Sequence, residues 1–75
     1  MDSNYEKQVG SNIKNIRTKR KLTQEQLAAR LQVSGCDITR SALAKIEVGQ
    51  RHVYADEIKA LKQALTVEYE DLLTE

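Results

Sequence analysis

Aliphatic residues recur at helical spacing along almost the whole chain, and no run alternates with a period of two. Val9, Ile13 and Ile16 follow i, i+4, i+7 and predict a first helix over about 6–20, with Lys14, Arg17, Lys19 and Arg20 on its outer face. Thr23 stands where an N-cap is needed and Gln26 three residues on completes a capping box, opening a short helix over about 24–32 with Leu27, Ala28 and Leu31 inward. Gly35 interrupts the pattern. Thr39 then caps a third helix whose Leu43 and Ile46 face the core while Arg40, Ser41, Ala44 and Lys45 face out. Gly49, two residues past Glu47, suits a left-handed terminus, so this helix stops near residue 48. Asp56 and Glu57 favour the positive end of a fourth helix carrying Ile58, Leu61 and Leu65 inward, and Tyr69 to Leu73 form a last turn or two. The pattern therefore predicts an all-α chain of five helices.

Composition narrows this further. Seventy-five residues make one domain, with a slightly frayed N-terminus and no room for a cleft between domains. The lone cysteine, Cys36, excludes an internal disulfide and gives no ligand cluster; it reads as a small side chain tucked under a loop in a reducing, cytoplasmic protein. No apolar run approaches the roughly 20 residues needed to cross a bilayer, which argues against secretion and membrane insertion. His52 is the only histidine and has no second ligand at metal spacing, so it reads as a surface or half-packed side chain. Ser34, Ser41 and Cys36 lack a base and an orienting group, and no glycine-rich loop cradles a phosphate. Catalysis, a cofactor and a small-molecule ligand are all unexpected. Tyr54 and Tyr69 are expected to cover core edges.

The net charge of +1 conceals polarity. Residues 7–51 hold ten Lys/Arg against Glu25, Asp37 and Glu47, a net +7, whereas 52–75 hold Lys59 and Lys62 against six acids. A basic segment of that size suits a polyanion, because phosphate contacts and counterion release dominate affinity for nucleic acid. It also fits a plain solvated face.

Two short helices joined by a turn, the second with a basic face of small residues, have the geometry for entering a major groove. From Val9 to Leu73 the chain resembles the lambda-repressor-like, or XRE-type, helix-turn-helix family. The segments that carry the likeness are VGSNIKNIRTKRKLTQEQLAARL, ITRSALAKIEVGQR and DEIKALKQALTVEYEDLL, with LTQEQLA opening and ALAKIEVGQR closing the motif, over about 23–48. The resemblance implies a five-helix DNA-binding domain, acting as a bacterial or phage transcriptional regulator, most simply a repressor. It implies that Arg40, Ser41, Ala44 and Lys45 face base edges, Arg40 first through guanine O6 and N7. Thr23, Gln24, Thr39, Gln50 and Arg51 would meet the DNA backbone, and Arg17 with Glu47 would form a partly shielded structural pair. Such modules bind as two-fold dimers, so a homodimer is expected, with Val67, Tyr69, Leu72 and Leu73 as candidate contacts that fit the core equally well. The alternative use of the fold is a protein-interaction module working through the acidic C-terminal part.

The chain departs from the family at two places. Leu31 and Ile38 lie about five residues further apart than usual, so QVSGCD is an insertion that either lengthens the second helix by a turn before Gly35 or forms a looser loop beside the DNA backbone. Lys21 stands where the family has glycine; left-handed lysine costs roughly 1 kcal/mol and places its charge near a phosphate or simply in solvent.

Overall fold

The computed structural model describes residues 3–75, so Asp2 and the first of the residues expected to fray lie outside it. The order is α1 (Ser3–Lys19), α2 (Gln24–Val33), α3 (Arg40–Glu47), α4 (Ala55–Leu65) and α5 (Tyr69–Leu73), with no strand among the described residues. Helix α1 starts about three residues before the point that Val9, Ile13 and Ile16 suggest. Its first turns have an anchor that apolar spacing does not display: the Tyr5 hydroxyl donates to the Leu73 carbonyl at 3.1 Å.

One core serves all five helices. Val9, Ile13, Leu27, Leu31, Ile38, Leu43, Ile46, Ile58, Leu61, Leu65 and Leu72 are buried together, so the periodic positions face inward as their spacing requires. Leu72 is fully buried, which removes it from the candidate dimer contacts; Val67 and Leu73 are half-buried against the same core. Tyr54 and Tyr69 do not cover core edges. They are 61% and 44% exposed, and each lies beneath a cation, Arg51 at 5.9 Å and Lys62 at 5.2 Å from the ring centroids.

Helices α1 and α3 cross in backbone contact. A Cβ on Gly10 would lie 2.1 Å from the Ile46 carbonyl oxygen, so only glycine lets α1 approach the last turn of α3 this closely. Two arginines hold the C-terminus of α4. Arg20 donates to the carbonyls of Leu65 (2.7 Å) and Thr66 (3.2 Å), and Arg30 donates to that of Ala64 (3.3 Å). Cations there satisfy terminal carbonyls and oppose the negative end of the helix dipole. Asn12 does the same for α5 without charge, donating to Leu72 and Thr74.

The first four helices end in one way, a Schellman closure around a residue in the left-handed region. The paired bonds are Leu22 to Arg17 and Lys21 to Thr18, Cys36 to Leu31 and Gly35 to Gln32, Gln50 to Lys45 and Gly49 to Ile46, and Val67 to Lys62 and Thr66 to Gln63. The left-handed residues are therefore Lys21 (φ 59°), Gly35, Gly49 and Thr66 (φ 56°). Two are not glycine, and Thr66 is β-branched, the worst kind of side chain for this region. Because Thr66 is exposed and only its backbone is bonded, Thr66→Gly should relieve strain at little other cost. After glycine's larger unfolded-state entropy is subtracted, a gain of about 0.5–1 kcal/mol is expected, read as a rise of a few degrees in Tm by thermal denaturation.

Candidate nucleic-acid interface

The two helices of the motif start on side-chain caps. The Thr23 hydroxyl accepts from the Gln26 N–H at 3.0 Å while the Gln26 side chain accepts from the Thr23 N–H at 2.8 Å, the expected capping box. The Thr39 hydroxyl accepts from the Ala42 N–H at 3.1 Å and fixes the start of α3. Between them, the inserted residues take a course between the two alternatives, with Gln32 and Val33 helical and the rest a turn and a short ordered loop. Helix α2 continues to Val33 and stops at Gly35; Cys36 leans on the core, and fully buried Ile38 pins the segment before Thr39. Gln32 spans the turn, its amide donating to the Ile38 carbonyl at 2.9 Å. Burial, then the nearby Glu57 carboxylate, raises the Cys36 thiol above its ordinary range, so it stays protonated.

The far end of α3 is fixed by charge. Arg17 Nε and Nη2 donate to the two Glu47 carboxylate oxygens at 2.7 and 3.0 Å, a bidentate fork with the side chains only 9% and 1% exposed. Arg17 Nη1 also donates to the Leu22 carbonyl at 2.8 Å, and the Gln24 amide donates to Glu47 Oε1 at 3.0 Å. The pair thus stands as the family likeness implied, with two additions that no spacing rule announces. Glu47 accepts from both α1 and α2, and the carboxylate opposing the α3 dipole is compensated by three donors.

Held at both ends, α3 presents Arg40, Ser41 and Lys45 exposed and Ala44 half-buried on its outer side. The side chains of Lys14, Lys19, Lys21, Arg40 and Lys45 form no hydrogen bond or ion pair with described residues. Gln24 reaches Glu47, so the start of α2, with Lys21 just before it, lies at the C-terminal end of α3. Exposed Gln50 follows at that same end, its N–H closing on the Lys45 carbonyl.

Arg51 is more engaged than its expected phosphate role suggests. Its Nη1 and Nη2 both donate to Glu57 at 3.0 Å, and Nη1 also donates to the His52 carbonyl at 2.8 Å. A guanidinium has five N–H donors, so this fork leaves two for another acceptor. Glu57 also accepts from the Tyr54 N–H at 2.9 Å, tying the loop to the start of α4. His52, largely exposed, turns Nδ1 toward the shielded carboxylate of Glu6 near the start of α1. Of the ten basic residues in 7–51, Arg17, Arg20, Arg30 and Arg51 thus serve the fold. Net charge by segment cannot separate them from the unpaired ones, because a charge count carries no information about partners, most of which lie far off in sequence.

A mostly apolar helical core that fixes one short helix at both ends, leaving its polar outer face unpaired, is the architecture of a helix-turn-helix domain. A family model for that domain matches residues 10–75, and the chain belongs to the helix-turn-helix domain family, of the lambda-repressor-like kind. The crystal structure of the DNA-binding domain of BldD is similar to it, with a TM-score of 0.82 and 26% identity over 97% of this chain and 99% of that one. No curated protein matches the chain.

Two outcomes test the electrostatic frame. Arg17→Ala strands Glu47 in the core and should cost about 3–5 kcal/mol, measured as a loss of unfolding free energy in urea. Hydrogen bonding to Arg51 holds the Glu57 carboxyl below the ordinary glutamate value of 4.5. Its contribution is therefore present above about pH 4.5 and disappears as pH falls through the lower folded value. Urea midpoints taken from pH 6 to pH 3 should fall more steeply in the parent than in Glu57→Gln.

Proposed function

We propose that this chain binds double-stranded DNA sequence-specifically through the major groove and regulates transcription, most simply as a repressor. The observation that supports it above the rest is the outer face of α3. Its unpaired Arg40, Ser41 and Lys45 project from a helix whose two ends are locked by Thr39 and Glu47. Arg40 is the principal base reader, because its free guanidinium matches the paired acceptors of guanine. Ser41, Ala44 and Lys45 complete the reading face. Lys21, Thr23, Gln24, Thr39, Gln50 and Arg51 are the backbone contacts, Arg51 using the donors that its fork with Glu57 leaves over.

A single module of this size covers too little DNA for tight specific binding, so the functional species is a homodimer on a pseudo-palindrome with half-sites about one helical turn apart. Val67, Tyr69 and Leu73 supply its apolar contact. No helix among the described residues is long and apolar enough to cross a membrane, and a regulator of this kind works where the DNA is, in the cytoplasm. A protein-interaction module using the acidic C-terminal segment is the competing use of the same fold.

A binding-site selection followed by a salt titration separates the two. The log–log slope of affinity against salt should be several units and should shrink by about one in Lys21→Ala. Arg40→Ala should remove about 1–3 kcal/mol of discrimination at one base pair while leaving non-specific affinity largely in place. Failure to enrich any sequence at low salt rejects the DNA reading in favour of the interaction module.

A further inference from the structure

Val48 is half-exposed, at 52%, where the outer face of α3 ends. It is seven residues from Ser41 and four from Ala44, so helical periodicity aligns the three on one side with Lys45 beside them. An isolated exposed valine is unremarkable on most surfaces, since much of any protein surface is apolar. This one continues the face that carries the unpaired Arg40 and Lys45. It also sits at the end of α3 beside the start of α2, where Gln24 reaches Glu47 and Lys21 is unpaired. A groove entered by this face of α3 would therefore meet Val48 as well as the cations.

Resting on the DNA-binding reading above, we propose that Val48 is a specificity-determining residue that packs on the 5-methyl group of a thymine. A branched hydrocarbon has no donor for a phosphate and no acceptor for an amino group, and among the groups on the floor of the major groove only the thymine methyl is apolar. Half-buried Ala44, one turn earlier, adds no bulk that would hold the helix away from that floor. Seven residues at about 1.5 Å each place Val48 about 10 Å along the helix from Ser41, roughly three base-pair steps. Arg40 and Ser41 then select one end of a half-site by hydrogen bonding, and Val48 selects the other by burying a methyl group.

The test is a four-way comparison on the operator enriched by selection. Each thymine of a half-site is replaced in turn by deoxyuridine, which removes only the methyl group, and binding is measured for the parent and for Val48→Ala. One thymine, about three pairs from the base pair sensitive to Arg40→Ala, should weaken parental binding about fourfold on demethylation, the worth of one buried methyl group. Val48→Ala should bind both forms alike at that position while keeping the parental response at every other thymine. Val48 lies outside the core, so the variant should keep the parental Tm and salt slope; a variant that loses them is replaced by Val48→Thr, which keeps the shape and one methyl and should show a reduced effect. Equal uridine penalties in parent and variant at all positions, or a half-site without thymine, overturn the assignment of Val48 while leaving DNA binding intact. A parent that enriches no sequence overturns the DNA-binding reading itself, a distinguishable result.

Discussion

The fork between Arg17 and Glu47 sets the relation among the first three helices. Glu47 stands in the last turn of α3, where its charge opposes the helix dipole, and its side chain is almost wholly removed from water. An anion in that position persists only if donors surround it. They come from α1 through Arg17 and from α2 through Gln24, while the remaining arm of Arg17 holds the Leu22 carbonyl between those helices. One buried carboxylate therefore fixes three elements at a common point. Replacing such a pair with hydrocarbon can raise stability, so its value here lies in direction more than in strength. Apolar packing tolerates small slides of α3, whereas a bidentate fork does not.

Gly10 makes that fork possible. The close passage of α1 over the Ile46 carbonyl brings Arg17, two turns further along, level with Glu47. A side chain at residue 10 would push α1 away from the last turn of α3, and so strain the bonds between Arg17 and Glu47. The fork and the glycine belong to one device, in which steric permission at one turn allows an electrostatic lock at another.

Local signals made most of the fold legible in the sequence. Helix positions follow from the aliphatic period, and Thr23, Gln26 and Thr39 form the caps that their spacing indicates, because capping is decided within four residues. The left-handed state of Lys21 was readable only through the family resemblance, which has glycine there. What stayed hidden was long-range. Nothing near Arg20 or Arg30 shows that their partners are carbonyls at the end of α4, some 34 to 46 residues away, so both counted as part of a basic surface. Tyr54 and Tyr69 lie outside the core, where a large aromatic ring in a small protein usually sits, because aliphatic residues already fill the interior. Within the candidate interface, Arg40, Ser41 and Lys45 were legible from helical phase. The engagement of Arg51 with Glu57 was not, since six residues correspond to no helical repeat and the loop between them decides the contact.

These engagements divide the candidate contacts by what each must give up to bind. Arg40 and Lys45 exchange only water, because neither side chain has an internal partner, and the helix beneath them is already held in place. Their contribution is preorganised in the backbone and costs mainly the entropy of two flexible side chains. Gln24 and Arg51 differ. Each contributes to holding a helix terminus, Gln24 through Glu47 and Arg51 through Glu57, and each has donors left over for a second acceptor. A phosphate bound there polarises a bond that already positions α2 or α4, so backbone contact and internal geometry reinforce one another. The residues proposed to read bases are therefore free to be exchanged for others without disturbing the fold, while the flanking residues are not. On the proposed reading, specificity can then vary on a frame whose internal geometry stays constant.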